Sequence, residues 1–165
     1  MKLLSVSRYV DRVFEAAIVI ILAALVVVGT LQVFNRFVLN ISLSWSEEFQ
    51  KFAHVWLVYF AIPVAYNRSS HIGVDLVLNL MPVRLRRVMV LATDVLWLVL
   101  TGAVIHFSSI VMNVARLQTA PGLGITFDYV YMGLLIGSCY LAFVVLRNIL
   151  CHLTGASAVD GQGAR

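Results

Sequence analysis

The chain has 165 residues, of which 61% are hydrophobic and 12% charged, with a net charge of +4. Soluble domains carry about twice that charged fraction, so a water-soluble enzyme is disfavoured and a membrane protein is the starting expectation. Each crossing takes about 20 residues, which leaves no room for a soluble catalytic module. The basic residues sit at the ends of apolar segments, form no face with interleaved aromatics, and read as topology rather than nucleic-acid binding.

The first apolar run, residues 13–39, follows Arg8, Asp11 and Arg12. It is too long for a signal-peptide core and no small-residue cleavage site follows, so it reads as a retained helix. Next come Ser44, Trp45, Ser46 and Glu47, an S-x-x-E pattern that predicts a capping box at a helix start on the outer surface. Glu48 falls on the same turn, and both acids precede Lys51 by one helical turn, where they offset its charge. Trp45 suits an interfacial anchor. Glu47 and Glu48 therefore have two readings, capping with charge compensation or an exposed acidic spot that contacts a partner. The second run, residues 49–66, is the least apolar because Lys51 and His54 lie in its first turns.

Residues 71–81 read HIGVDLVLNLM, and His71, Asp75 and Asn79 recur every four residues on one helical face. Such a segment is too short to cross. A helix lying in the cytoplasmic interface, ended by Pro82, accommodates both facts; a short loop or an extension of the second span are the alternatives. The third and fourth spans are residues 88–112 and 129–150, and the glycine-rich residues 154–165 predict a disordered cytoplasmic tail. The expectation is an all-α integral membrane protein: one four-helix domain over residues 1–153 with a short interfacial helix between spans two and three. Lys2, Arg8, Arg12, Arg68, Arg84, Arg86, Arg87, Arg147 and Arg165 fall on one side and only Arg36, Lys51 and Arg116 on the other. By the positive-inside rule both termini are cytoplasmic.

Ionisable residues within the spans need partners. Glu15 stands one turn from Arg12, which predicts a local ion pair. Asp94 lies about 10 Å beyond Arg87 along its helix, at a depth similar to that of Arg147 on the antiparallel fourth span, so an Asp94–Arg147 pair is expected. A proton or sodium relay would show more than one acid at mid-membrane. His54 and His106 fall in the outer halves of adjacent helices, the arrangement a bis-histidine haem requires, but no second histidine pair or cluster of small residues supports one. The alternative is that each imidazole bonds to a neighbouring helix or to interfacial water. Gly133 and Gly137 form a G-x-x-x-G spacing for close helix approach. Cys139 and Cys151 are about 18 Å apart on one helix and cannot bond to each other. The sequence has no metal spacing, phosphate loop or nucleophile motif, so no catalytic, cofactor or metal residue is assigned.

Three motifs together carry a resemblance. L-S-W-S-E-E at Leu43–Glu48, R-x-x-H-I-x-V-D at Arg68–Asp75 and P-x-L-G-I at Pro121–Ile125, set around four spans, resemble the small membrane subunit of tripartite ATP-independent periplasmic (TRAP) transporters. Many members follow L-G-I with proline and an aromatic; Thr126, Phe127 and Asp128 stand here instead, so no role is carried onto them. The resemblance implies a multi-pass protein of the bacterial inner membrane that pairs with a large multi-span subunit. That partner carries the substrate and sodium sites, uses the sodium gradient and moves an organic anion by an elevator-like motion. A periplasmic binding protein delivers the substrate, and the small subunit enlarges the static scaffold and transports nothing alone. Three other classes stay open: a haem-bearing anchor of a respiratory enzyme, a small proton-coupled exporter built on Glu15, and a plain structural membrane protein.

Overall fold

Backbone polar groups inside a bilayer must be satisfied within the chain, so long apolar runs fold as helices. The computed structural model describes residues 2–68 and 83–153, which form α1 (Lys2–Val38), α2 (Ser44–Arg68), α3 (Val83–Ala115) and α4 (Asp128–Leu153). Among the described residues no β-strand is found beyond one isolated bridge between Thr119 and Thr126. The residue 71–81 segment with His71, Asp75 and Asn79, and the tail from 154, lie outside the described residues.

Each helix extends past the apolar run that announces it, because backbone hydrogen bonding continues where side chains turn polar. Among the described residues three helices are long and apolar enough to cross a membrane, over Tyr9–Val38, Val88–Ala115 and Asp128–Leu150. α2 falls short on composition, as Gln50, Lys51 and His54 in its first turns predict. α1, with 37 residues, is about 55 Å long against a hydrocarbon core of about 30 Å, so it tilts or projects beyond the core.

α2 packs between α1 and α4, and α3 packs on α4. The best-buried side chains accordingly come from α4, where Val144 and Val145 are fully buried, and from the α2 face carrying Phe52, Phe60, Pro63 and Val64. Phe14 of α1 closes this core against Phe60 and Tyr140, with ring centroids 4.7 and 4.5 Å away. The outer faces stay apolar: Ile20 and Val27 on α1 and Leu96 and Val99 on α3 are each about two-thirds exposed. An apolar surface of this extent belongs against lipid or protein.

Two turns define the end of the bundle where α1 meets α2 and α3 meets α4, termed the loop end. α1 stops because Asn40 adopts a left-handed conformation (φ 53°) and the Ile41 amide reaches the Asn35 carbonyl at 3.0 Å. The helix therefore closes on a left-handed residue, a conformation asparagine tolerates better than other side-chain-bearing residues. Between α3 and α4, residues 116–127 fold into a small hairpin. Phe127 donates to Gln118, Ala120 donates to Ile125, and Gly124 (φ 68°) donates back to Ala120.

Candidate functional site

The α2 start and the hairpin meet at the loop end through one carboxylate. Oε2 of Glu48 accepts from the backbone amides of Gly122 and Leu123 at 2.9 and 2.8 Å. The hairpin can come this close because Gly122 lies against the α2 backbone: a Cβ there would stand 3.0 Å from both Ser44 C and Trp45 Cα. The other members of the expected capping box are arranged differently. Ser44 already belongs to α2, fully buried Ser46 returns its hydroxyl to the Leu43 carbonyl at 2.7 Å, and Glu47 faces α1, where Gln32 donates to it at 3.5 Å. Gln50 in turn donates to Gln32. Thus Glu48 ties α2 to the hairpin while Glu47 faces α1.

Gly133 and Gly137 lie along the α2–α4 seam. A Cβ at Gly133 would come within 2.6 Å of the Trp56 indole, whose Nε1 is held by the Tyr129 carbonyl at 2.9 Å. A Cβ at Gly137 would overlap the Tyr59 carbonyl oxygen. That carbonyl is special, because Pro63 four residues later has no N–H to donate to it. The G-x-x-x-G spacing is therefore used inside the chain.

At the opposite end a polar network joins all four helices. Asp11 of α1 accepts from Asn67 of α2 at 2.5 Å and from Tyr140 of α4 at 2.6 Å; Arg147 of α4 donates to Asn67 at 2.6 Å and to Asn148 at 3.2 Å. Tyr66 of α2 donates to Asp94 of α3 at 2.5 Å. Asp94 is 1% exposed, a buried carboxylate that needs such a donor. Asp94 and Arg147 thus fall at the same end of the bundle, as their depths suggested, and the contacts described for them include Tyr66 and Asn67 of α2 and Asn148 of α4. Glu15 pairs with Arg68 at 2.5 Å, across helices, in place of the local Arg12 contact expected. Asp11, Tyr66, Asn67 and Tyr140 carry no sequence motif; the first three were visible only as polar residues near span ends, and Tyr140 as one tyrosine in the middle of the fourth span.

A link between Asp94 and Arg147 through Tyr66 and Asn67 would have a measurable signature. In a double-mutant cycle with Asp94→Asn and Arg147→Gln, the coupling read from thermal unfolding in detergent should be about 1 kcal/mol. A contact pair broken on one side would cost about 3 kcal/mol or more. Strict additivity would show that the two sites are separate.

His54 and His106 are both exposed. Arg116 reaches Asp128 at 3.6 Å, and Phe127 stacks edge-on against Phe52 at 5.3 Å, so Lys51, Arg116 and Asp128 mark one level. Counted from that level along their helices, His54 is about 5 Å deep and His106 about 15 Å. The common depth that a shared haem needs is not there. No group of three or more His, Cys, Asp or Glu side chains with metal-binding geometry occurs among the described residues.

The model of the family described as tripartite ATP-independent periplasmic transporters, DctQ component, matches residues 25–155. The chain belongs to this family. Among its relatives, the sialic acid TRAP transporter small permease protein SiaQ of Vibrio cholerae is 27% identical over 98% of both chains. A putative TRAP transporter small permease protein of Haemophilus influenzae is 21% identical over 89% of both. The isethionate TRAP transporter permease protein DctMQ of Oleidesulfovibrio alaskensis is 30% identical over 70% of this chain, a region that makes up only 19% of that longer protein. As a DctQ-family member the chain is a multi-pass inner-membrane component of a transporter, not an enzyme. The fold gives two of the family-like motifs a joint physical role: in this DctQ chain the second glutamate of W-S-E-E holds the backbone of P-G-L-G-I.

Proposed function

We propose that this chain is the small permease subunit of a TRAP transporter, pairing with a large multi-span subunit as part of its static scaffold. In this reading α1 to α4 all cross the membrane, both termini and the residue 71–81 interfacial helix lie on the cytoplasmic side, and the loop end faces the periplasm. A periplasmic binding protein delivers an organic anion, and the large subunit moves it by an elevator-type, sodium-coupled step. The small subunit has no cofactor of its own.

The observation that carries the reading is how the polar side chains are used. Asp11, Asn67, Tyr66, Asp94, Tyr140 and Arg147 bond helix to helix, and Glu48 bonds helix to hairpin. A cavity of about 210 Å³ between α2, α3 and α4 is walled mainly by Ile62, Trp97, Leu100, Val104 and Leu141, with no charged side chain in its lining. Groups fixed in stitching are poorly placed to hand an anion or cation across a membrane, which favours a support role over a pathway.

The test is uptake in cells that carry all three components. Removing this chain should abolish sodium-dependent uptake of the anion captured by the binding protein, and supplying it from a plasmid should restore uptake. The chain without the large subunit should give none. Undiminished uptake in its absence, or uptake by the chain alone, would sink the proposal.

A further inference from the structure

α3 turns a polar stripe outward at a depth where the bilayer is apolar. Gly102, His106, Ser109 and Asn113 follow one another at intervals of four, three and four residues, which places them on one helical face, and all four are exposed. From the level of Arg116, Asn113 is about 5 Å deep, Ser109 about 10 Å and His106 about 15 Å, the last about half of a 30 Å hydrocarbon core. The neighbouring positions on this side, Val95, Val99, Ile110 and Val114, are apolar and exposed.

Ionisable side chains in membrane helices face a bundle interior or a water-filled cavity, because lipid tails offer no hydrogen-bond partner. His106 faces neither within this chain, and among the described residues its imidazole takes no hydrogen bond; the Phe107 ring lies beside it at 5.5 Å. Ser109 and Asn113 turn donors back onto the carbonyls of His106 and Ser109 at 2.7 and 3.3 Å. At Gly102 no atom lies within 4 Å of where a Cβ would be, so the helix backbone is open to close approach. The exposed face of α1 differs at the same depth: Ile20, Ala23 and Val27 present nothing that lipid cannot cover.

We propose that the α3 face formed by Gly102, His106, Ser109 and Asn113 is the intramembrane seam with the large permease subunit, whose facing helix packs over Gly102 and bonds the His106 imidazole. The inference rests on the scaffold reading above for the identity of the partner. Lipid cannot satisfy His106, so the occupant is a protein helix. The relative DctMQ, in which the matching region is 19% of one continuous permease chain, makes the rest of the permease the partner at hand.

The test uses the co-expressed complex of both membrane subunits. With the photoreactive residue p-benzoylphenylalanine in place of Ser109, irradiation of membranes should give an adduct with the large subunit, and the same residue in place of Ala23 should give none. Gly102→Trp should lower the large subunit recovered with the tagged small subunit about tenfold, whereas Ala23→Trp should change it less than about twofold. His106→Gln should retain more of the complex than His106→Leu. An adduct between two small subunits, an adduct from position 23 only, or none at either position while the complex still co-purifies, overturns the seam and leaves the scaffold reading standing. Failure of the unsubstituted chain to recover any large subunit overturns the scaffold reading itself.

Discussion

Leucine at position 137 should leave almost no folded protein, and alanine there should already cost about 2 to 3 kcal/mol, the upper range for overpacking a close-fitted contact. The reason is what the added carbon meets. A Cβ on Gly137 would overlap the Tyr59 carbonyl oxygen and stand 2.8 Å from the carbonyl carbon and 3.0 Å from the Tyr59 Cβ. None of these atoms is the tip of a flexible side chain, so the two helices must separate. Separation also removes cover from a carbonyl whose helical donor is missing at Pro63, and the Cα hydrogens of a close glycine offer it a weak polar contact. Thermal unfolding of the purified chain in detergent gives the comparison. Gly102→Ala, on an open face of α3, is the control and should shift stability by less than about 0.5 kcal/mol. A Gly137→Ala chain that unfolds with the control would show that the α2–α4 seam is looser than this contact implies.

Much of the fold was legible because hydropathy over 20 to 30 residues is a strong signal in a membrane. The four expected spans coincide with the four helices, the first overrunning α1 by the single residue Leu39, and even the weakness of the second, due to Lys51 and His54, reappears in α2. Boundaries were legible only to a few residues, since nothing in the pattern of residues 2–12 marks where helix passes from lipid to interface. The stop of α1 was legible to within one residue, Leu39 against Val38, although Asn40 gives a weaker local signal than the glycine usual at that position. The polar contacts were least legible. Depth along antiparallel helices brought Asp94 and Arg147 to one end of the bundle, but which neighbour each side chain meets depends on helix rotation, and α2 supplied Tyr66 and Asn67 there. Similarly, counting from the ends of apolar runs put His54 and His106 at a common depth, whereas the contact of Phe127 with Phe52 and that of Arg116 with Asp128 set the two helices in a different register.

The glutamate pair shows the same limit and supplies a sharp contrast. Sequence alone made Glu47 the capping residue and gave Glu48 only the offset of Lys51 or contact with a partner; the fold has Glu48 holding the hairpin. Glu48→Ala should destabilise the chain by about 2 to 3 kcal/mol, because two charge-assisted bonds to backbone amides are lost together and Gly122 and Leu123 are left without that acceptor. Half-exposure of the site allows water to recover part of this, which keeps the value below the sum for two fully buried bonds. Glu48→Gln retains one acceptor oxygen and should fall between. Glu47→Ala should cost less than about 0.5 kcal/mol, its one contact being a 3.5 Å bond on an exposed surface. Unfolding midpoints rank the three variants, and limited chymotrypsin digestion reports on the hairpin itself. Leu117, 84% exposed, and Leu123 are available sites once the loop lifts, and in Glu48→Ala they should be cut about tenfold faster, in proportion to the larger population of the open loop. If Glu48→Ala is digested no faster than the unsubstituted chain while Glu47→Ala is, the hairpin is held from the α1 side, and the two adjacent acids exchange roles.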